Sequence, residues 1–409
     1  MSTLSRRGHR LVDSPSMPAY VVEHFARADQ SWDPDMRPDG YIGLCVAENT
    51  LHNDELIAQL ACYEVPARVL AYDAMTGNLE FRQRLAAFMG RSFLGRTFDA
   101  EQIIVLAGAG SVLEILFYAI CDPGDGVLIP TPSYAGFWAD LETRDELRIV
   151  TADCSSDDGF RLTPAQLDAA METADCPVKA LLFTTPNNPL GQVYAREDVQ
   201  AIVDWAERRD VQLIVDEIYA LSVFGEREFV SAASLRPQLG DDVHIVWAFS
   251  KDFGASGLRC SVLISENQAV LDAVGSLAYW SACSGHTQHL LSELIADTPV
   301  VDGHINAMQA KLGQAYVQLT AALDAAGIPY LPAEAAFFLI CDLRAYLDAP
   351  SWDAERGLWR RILDEANVNL TPGEACRINE PGFFRLCYAA VNGPAVQEAV
   401  ARIGRVLAG

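Results

Sequence analysis

Residues 178–219 read VKALLFTTPNNPLGQVYAREDVQAIVDWAERRDVQLIVDEIY, and they decide the fold class of this chain. Two apolar runs, 178–184 (VKALLFT) and 211–215 (VQLIV), have the length and composition of buried strands. Between them, residues 197–209 carry apolar side chains at helical spacing, at Val199, Ile202, Val203 and Ala206. A buried strand, an amphipathic helix and a second buried strand predict a parallel sheet with helices on both faces.

The same alternation extends outward from this segment. Apolar runs at 102–106, 126–129 and 243–249 predict further strands, and a helix is expected over 111–120. After residue 300 the pattern changes to a long helix near 305–326, two short apolar strands and a closing amphipathic helix. This change predicts a second, smaller α+β domain.

Three parts of the chain are therefore expected. Residues 1–45 would form an arm that packs on the small domain, residues 46–300 a large domain, and residues 301–409 the small domain. Prolines interrupt the first 40 residues, so we expect no regular structure there; they are Pro15, Pro18, Pro34 and Pro38.

The charge of the chain limits its partners. It has 30 basic and 55 acidic side chains and a net charge of −25, whereas binding to a nucleic-acid backbone requires a basic surface. Solubility explains the acidic surplus, and attraction of a cationic ligand is the alternative. No apolar run approaches the roughly 20 residues of a membrane span, and no signal-peptide pattern opens the chain. Neither nucleic acid nor membrane is an expected partner.

Cysteine and histidine usage favours a cytoplasmic protein without a metal. The ten cysteines form no CxxC pair and mostly lie in apolar runs, as is typical of buried free thiols in a reducing compartment. His286 and His289 are three residues apart, but no third ligand lies near them in the sequence, so no metal site is expected.

Open parallel sheets bind ligands beyond the carboxyl ends of their strands, so the residues after each strand are candidate site residues. Gly108, Ala109 and Gly110 follow the run 102–106 and open a helix, whose first N–H groups suit an anion such as phosphate. A tight turn explains the glycines equally well. Leu113 stands where the third glycine of the dinucleotide-binding pattern GxGxxG would be, so that pattern is not met.

Two more strand ends carry polar residues. The loop TTPNNPLG, with Asn188, follows one strand, and an ordinary surface loop is the alternative explanation. Asp216 and Tyr219 follow the next strand. An aspartate at the end of a buried strand is desolvated unless it meets a cation, and a protonated ring nitrogen would be such a partner.

Lys251 follows the run 243–249, and Arg259 comes eight residues later among small residues. A buried lysine with a lowered pKa forms Schiff bases with aldehydes, and an arginine holds a phosphate by paired contacts. These strand-end residues together supply an anion site, a nucleophilic amine and a carboxylate for a ring nitrogen. The combination predicts a pyridoxal 5'-phosphate site.

The chain resembles fold-type I pyridoxal phosphate enzymes of the class I/II aminotransferase superfamily. NPLG, DEIY and SKD with its downstream arginine are typical of the superfamily, and AEN, TQHLL and EPGFFRLCYA are similar to the 1-aminocyclopropane-1-carboxylate (ACC) synthase branch. The resemblance implies an α/β fold of the PLP-transferase type I, with a mainly parallel seven-stranded sheet sandwiched by helices and a smaller α+β domain. It also implies a homodimer with a shared active site.

The resemblance implies a role for each candidate residue. Lys251 would bond the cofactor aldehyde and move the α-proton, and Asp216 would keep the ring nitrogen protonated. Asn188 and Tyr219 would contact the phenolic oxygen. The other implied cofactor contacts are Tyr134 on the ring and Ala109, Gly110, Ser250 and Arg259 at the phosphate.

Substrate contacts are implied in the same way, with Tyr134 and Asn188 shared between cofactor and substrate. Arg385 would hold the α-carboxylate, because its flanking residues are apolar and a lone charge there needs an anion; a surface arginine is the alternative. Ala47 and Glu48 lie where the family meets S-adenosylmethionine, although a helix-capping acid would explain Glu48. A core position would equally explain Tyr134.

Two positions depart from the family pattern. Met75 replaces a tyrosine that in relatives reaches the partner subunit's cofactor, and methionine packs without donating a hydrogen bond. Ala248 replaces a serine that contacts phosphate. The segment Thr287–Gln288 is expected to reach the neighbouring subunit's phosphate.

The resemblance implies a biosynthetic enzyme that acts on S-adenosylmethionine or a similar α-amino acid with loss of methylthioadenosine. Because of Met75, both ring closure to ACC and γ-elimination or γ-replacement with a second small substrate stay open. An aminotransferase is the alternative, and it would need a second arginine that the sequence does not place. A non-catalytic binding protein on this fold is a further alternative, which the retained Lys251 and Asp216 disfavour.

Overall fold

A computed structural model describes residues 3–13 and 17–409. Residues 1–2 and 14–16, including Pro15 of the expected irregular arm, lie outside the described residues. The strands, in chain order, are β1 (Ile42–Gly43), β2 (Ile103–Leu106), β3 (Gly126–Thr131), β4 (Arg148–Asp153), β5 (Val178–Thr184), β6 (Gln212–Asp216), β7 (Val243–Ala248), β8 (Ser261–Ser265), β9 (Phe338–Asp342), β10 (Val368–Asn369), β11 (Thr371–Pro372) and β12 (Phe383–Cys387).

Helices connect and cover these strands. They are α1 (Arg6–Asp13), α2 (Ala19–Arg27), α3 (Asn53–Leu60), α4 (Leu79–Met89), α5 (Ala109–Ile120), α6 (Phe137–Glu142), α7 (Pro164–Thr173), α8 (Arg196–Arg209), α9 (Phe249–Asp252), α10 (Gln268–Leu277), α11 (Gly285–Ala296), α12 (Thr298–Ala326), α13 (Trp352–Ala366) and α14 (Gly393–Leu407).

The central sheet has seven strands in the order β2-β8-β7-β6-β5-β3-β4. All neighbours pair in parallel except β8, which runs antiparallel to both β2 and β7. Side chains on both faces of the inner strands are buried against helices, because these strands are continuous apolar runs. The expected fold class is confirmed: an α/β unit with a mainly parallel seven-stranded sheet.

The C-terminal region contains a smaller antiparallel sheet in the order β11-β12-β9. The long helix α12 connects it to the central sheet, and α12, α13 and α14 pack together beside it. Their apolar faces share one hydrophobic cluster with β9 and β12, as the stripe along α14 requires.

The N-terminal residues are not irregular throughout. The prediction was wrong for α1 and α2, and α2 begins directly after Pro18, a residue whose fixed φ is compatible with a helix start. From residue 17 onward this segment lies on the C-terminal region. β1 pairs in parallel with β10, Arg402 donates to the carbonyl oxygen of Gly40 at 2.8 Å, and Arg360 pairs with Glu23 at 2.7 Å.

All ten cysteines are free thiols, and most of them are buried. No helix within residues 3–13 and 17–409 combines the length and the apolar character needed to cross a bilayer. In the same described part of the chain, no three His, Cys, Asp or Glu side chains are grouped so that they could hold a metal ion.

Candidate active site

A cavity of about 340 Å³ lies beyond the carboxyl ends of the central strands. Its walls come from the ends of β5, β6 and β7, the start of α5, the loop before α6 and the segment before α3. The lining residues are Val46, Ala47, Glu48, Ala109, Gly110, Leu113, Tyr134, Phe137, Asp140, Thr184, Asn188, Asp216, Ile218, Tyr219, Ser250, Lys251, Ser256 and Arg259. We call it the active-site cavity.

Lys251 is in the short helix α9, which begins where β7 ends. Its Nζ donates to the carbonyl oxygen of Ala47 at 2.6 Å. Burial, followed by the positive charge of Arg385, lowers the pKa of Lys251 from 10.5 to about 8. A substantial fraction of this amine is therefore neutral near pH 8, which is the form that attacks an aldehyde.

Asp216 ends strand β6 and is buried. Its hydrogen bonds are long, from the backbone N–H of Ile218 at 3.3 Å and from Oγ1 of Thr184 at 3.5 Å. Burial raises the pKa of Asp216 to about 7. A buried carboxylate with such weak donors is stabilised by a cation placed against it, so the site suits a protonated ring nitrogen.

Asn188 connects two candidate residues through its amide. Its Nδ2 donates to the hydroxyl of Tyr219 at 3.1 Å, and its Oδ1 accepts from Nη1 of Arg385 at 3.0 Å. Nη2 of Arg385 donates to the carbonyl oxygen of Cys45 and to Oγ1 of Thr371. Nε of this buried arginine has no hydrogen-bond partner among the described residues. A buried guanidinium with a free N–H provides a site for an anion.

The start of α5 and Arg259 form the anion-binding wall. Helix α5 begins at Ala109, two residues earlier than predicted, so the N–H groups of Ala109 and Gly110 belong to its unpaired first turn. Gly108 has φ +97°, and a Cβ at this position would overlap the Arg259 guanidinium. Arg259 itself has a left-handed backbone with φ +50°. The absence of a side chain at Gly108 allows the arginine to approach the helix start.

The comparisons with known proteins agree with this geometry. Residues 41–403 match the family model for aminotransferase class I and II. The chain belongs to this family. ACC synthase 6 of Arabidopsis thaliana is 34% identical over 92% of this chain and 80% of that protein, and ACC synthase 4 of Oryza sativa subsp. japonica is 34% identical over 95% and 86%.

Solved aminotransferase structures share the fold. Aspartate aminotransferase from Thermus thermophilus superposes with a TM-score of 0.82 at 23% identity, covering 99% of this chain and 100% of that chain. Aromatic aminotransferase from Pyrococcus horikoshii gives 0.79 at 21% identity, covering 94% and 98%. These aminotransferase likenesses establish the fold.

As a member of the class I and II aminotransferase family, the protein is a pyridoxal phosphate-dependent enzyme, a lyase or a transferase. The residues present fit the cofactor. Gly108 leaves room for the Arg259 guanidinium at the start of α5, Lys251 is a buried amine with a lowered pKa, and Asp216 is a buried carboxylate without a strong donor. The structure therefore brings an amine, an acid and an anion site to one cavity.

Nearly all the residues predicted for this aminotransferase-family site line the cavity, including Ala47, Glu48, Tyr134 and Ser250. Arg385 lies behind Asn188 rather than in the wall. Tyr134 is 36% exposed, so it is not a core tyrosine.

Two residues of the predicted site, Met75 and Gln288, do not line the active-site cavity. Met75 is half-buried against the same hydrophobic cluster on which Ala109 packs, and it does not line the cavity. Gln288 is buried, accepting from the N–H of Asn78 and donating to the carbonyl oxygen of Cys283. Its amide is therefore used inside its own chain, and the reach of the segment Thr287–Gln288 to a neighbour's phosphate stays a prediction.

Sequence reasoning missed two polar residues of the cavity. Ser256 lies on the wall with Arg259, so a hydroxyl is present there although Ala248 lacks one. The run of small residues GASG before Arg259 could have indicated this. Asp140, in α6, has no hydrogen-bond partner for its carboxylate among the described residues, and burial raises its pKa to about 6. No local sequence signal marks Asp140, since its position depends on how α6 packs beside α5.

Proposed function

We propose that this enzyme acts on S-adenosylmethionine, or a similar α-amino acid, and releases methylthioadenosine. The observation that carries the proposal is the position of Glu48. Its carboxylate lies on the wall next to Lys251, is exposed, and has no hydrogen-bond partner within the described part of the chain. An unpaired carboxylate beside the reacting amine suits a substrate with a positive charge, such as a sulfonium. The ACC synthase relatives support the same substrate.

Each residue of the site has a task in this reaction. When bound, pyridoxal phosphate supplies an electron sink for the charge left on Cα. Arg385 binds the substrate α-carboxylate, and Lys251 removes the α-proton with its Nζ. Asp216 keeps the ring nitrogen protonated, and Asn188 and Tyr219 hold the phenolic oxygen. Ala109, Gly110, Ser250 and Arg259 hold the phosphate, with Ser256 beside them.

Two outcomes at Cγ are compatible with these residues. In the first, Cα displaces methylthioadenosine from Cγ and closes a cyclopropane ring. In the second, methylthioadenosine leaves Cγ by γ-elimination, and in a γ-replacement a nucleophile of a second substrate then bonds to Cγ in its place. Met75 keeps both outcomes open, because a methionine at this position packs without the hydrogen bond that a phenol would give to the reacting groups.

Transamination is the less favoured alternative. An enzyme that accepts dicarboxylic amino acids needs a cation for the distal carboxylate. The phosphate would occupy Arg259, the α-carboxylate would occupy Arg385 behind Asn188, and the cavity wall contains no further arginine among the described residues. A monocarboxylic amino acid needs no such cation, so transamination of this class of substrate is compatible with the cavity.

Mass spectrometry of the cofactor-loaded enzyme incubated with S-adenosylmethionine tests the proposal. Release of methylthioadenosine is the expected result, and Lys251→Ala is the control that should release none. Formation of ACC together with methylthioadenosine would establish ring closure. Methylthioadenosine without ACC would indicate elimination or replacement at Cγ. A keto acid without methylthioadenosine would overturn the proposal in favour of transamination.

We also propose a homodimer in which Met75 faces the partner's site. Members of the family are homodimers, and Leu70 and Tyr72, close to Met75 in the chain, are 89% and 95% exposed. Such apolar exposure is typical of a surface that another subunit covers. Sedimentation should find a dimer, and Leu70→Asp with Tyr72→Asp should weaken it. A fully active monomer would contradict this assembly.

A further inference from the structure

A second cavity, of about 290 Å³, adjoins the segment Val46–Glu48. We call it the arm cavity, because the arm residues His24, Trp32 and Tyr41 form much of its wall. Val46 and Glu48 line both the arm cavity and the active-site cavity. We propose that the arm cavity binds the nucleoside end of the substrate, with its aromatic base against Trp32.

The shared wall places the two cavities next to each other. Ala47, between the two shared residues, accepts the hydrogen bond from Nζ of Lys251 through its carbonyl oxygen. The reacting amine is therefore one residue away from both Val46 and Glu48. A substrate whose amino-acid end is bound at Lys251 can extend past Glu48 into the arm cavity, and its sulfonium would then pass the free carboxylate.

The aromatic wall of the arm cavity is held in place by the backbone and by one side-chain contact. The N–H of Trp32 donates to the carbonyl oxygen of Tyr41 at 2.9 Å, and the N–H of Tyr41 donates to the carbonyl oxygen of Gln30 at 2.9 Å. Nδ1 of His24 and the hydroxyl of Tyr41 are hydrogen-bonded at 3.1 Å. A wall built in this way is ordered before a ligand arrives, which lowers the entropic cost of binding.

Gly43 makes room for this arrangement. A Cβ at position 43 would lie 2.8 Å from Nδ1 of His24, closer than such atoms approach. The glycine lets the imidazole lie against strand β1, at the cavity wall. The site therefore depends on a close approach between the arm helix α2 and β1.

The chemistry of the arm cavity indicates the class of ligand. Three aromatic rings and one free carboxylate suit a flat heteroaromatic group attached to hydroxyl or cationic groups. The methylthioadenosyl part of S-adenosylmethionine has this character. The assignment rests on the proposed function and adds to it a binding site for the leaving group.

The test measures the nucleoside end and the amino-acid end separately on the cofactor-loaded enzyme. The probes are methylthioadenosine, followed by calorimetry, and L-methionine, followed by the visible absorption of the cofactor. Trp32→Ala removes the stacking surface, and Ala28→Trp fills the cavity from an exposed position on its rim. Trp352→Ala, which removes an indole from a different cavity, is the matched control.

Both arm-cavity variants should weaken methylthioadenosine binding about tenfold or more, as loss of base stacking predicts, with L-methionine binding unchanged. The KM for S-adenosylmethionine should rise by a similar factor, and Trp352→Ala should match the wild type. If the wild type releases methylthioadenosine but neither variant changes its binding or the KM, the arm-cavity site is wrong and the proposed function stands. If the wild type releases none, the proposed function fails and the arm-cavity assignment fails with it.

Discussion

Nδ2 of Asn188 donates to the hydroxyl of Tyr219 at 3.1 Å, while Oδ1 of the same amide accepts from Arg385. One side chain thus connects the residue proposed for the cofactor's phenolic oxygen to the residue proposed for the substrate carboxylate. The pair formed by Asn187 and Tyr194 has a similar contact but lies outside the active-site cavity. Nδ2 of Asn187 contacts the hydroxyl of Tyr194 at 3.3 Å, and neither residue lines the active-site cavity.

These two pairs allow a matched comparison. Tyr219→Phe should lower kcat/KM by about tenfold, as expected for one lost hydrogen bond of roughly 1–1.5 kcal/mol, and should alter the visible absorption of the cofactor. Tyr194→Phe removes an equivalent hydroxyl beyond the cavity and should change neither quantity. Equal effects from both variants would contradict the role given to Tyr219.

The lowered pKa of Lys251 predicts the pH dependence of cofactor loading. Only the neutral amine attacks the aldehyde, so the loading rate of the apoenzyme should rise about tenfold per pH unit below pH 8 and level off above it. Stopped-flow absorbance between pH 6 and 10 measures this rate. A rate that keeps rising to pH 10 would mean that Lys251 titrates like an ordinary exposed lysine. Lys251→Ala, as a control, should fold and show no loading of this kind.

Gly108 and Gly240 provide a test of the anion-binding wall. Both have positive φ, but a Cβ at Gly108 would overlap Arg259, whereas nothing lies within 4 Å of one at Gly240. Gly108→Ala should weaken cofactor binding by about tenfold or more, since the arginine must move. Gly240→Ala should cost only the backbone strain of about 1 kcal/mol and leave binding unchanged. Equilibrium dialysis of the cofactor distinguishes the two variants.

Asp252 holds the helix of Lys251 against the loop after Tyr219. Its carboxylate accepts from the N–H of Leu221 at 3.0 Å, from Oγ of Ser222 at 2.7 Å and from Nε1 of Trp247 at 2.8 Å. Asp252→Asn places an NH₂ group among these three donors, so it should lower the free energy of unfolding by about 1–3 kcal/mol.

The loss at Asp252 should also affect cofactor binding, because the same contacts fix the position of Lys251. Urea denaturation and cofactor titration measure the two effects. The exposed Asp353 gives the control, since Asp353→Asn should leave both nearly unchanged. Wild-type stability in Asp252→Asn would refute the importance of this buried carboxylate.

The fold was predictable because its strands are short, continuous apolar runs separated by turn residues. β5, β6 and β7 lie within one or two residues of the predicted runs. β4 and β8 were not predicted. β4 is an edge strand with exposed residues, and the antiparallel direction of β8 depends on pairing with distant strands. The helices α1 and α2 were missed because prolines near them suggested interruption.

The site was predictable where its residues follow strands, because the carboxyl ends of parallel strands meet at one edge. Lys251, Asp216 and Asn188 come together for this reason. Asp140 was not found, since its place in the cavity follows from helix packing, which local sequence does not encode. The intrachain contacts of the Gln288 amide were not predictable, because a motif identifies a segment without determining which way its side chain turns.

The buried histidine His304 predicts the acid sensitivity of the fold. It stacks on Phe253 with ring centroids 4.9 Å apart, and its Nε2 has no hydrogen-bond partner among the described residues. Burial, with smaller contributions from the positive charges of His52 and Lys311 and against the opposing charge of Glu55, lowers the pKa of His304 to about 4. Between pH 6.5 and 4, the unfolded chain therefore binds a proton that the folded chain does not.

The free energy of unfolding should fall as the pH drops from about 6.5 to 4, with this histidine contributing up to about 1.4 kcal/mol per pH unit. His304→Phe keeps a ring on Phe253 and removes the titrating group. The slope should therefore fall by up to about 1.4 kcal/mol per pH unit, which corresponds to one proton fewer bound on unfolding. The exposed His286 provides the control, because His286→Phe should leave the slope close to that of the wild type. Urea unfolding at half-unit pH steps gives the slopes, and identical values for His304→Phe and the wild type would show that other groups, such as buried His244, dominate the acid response.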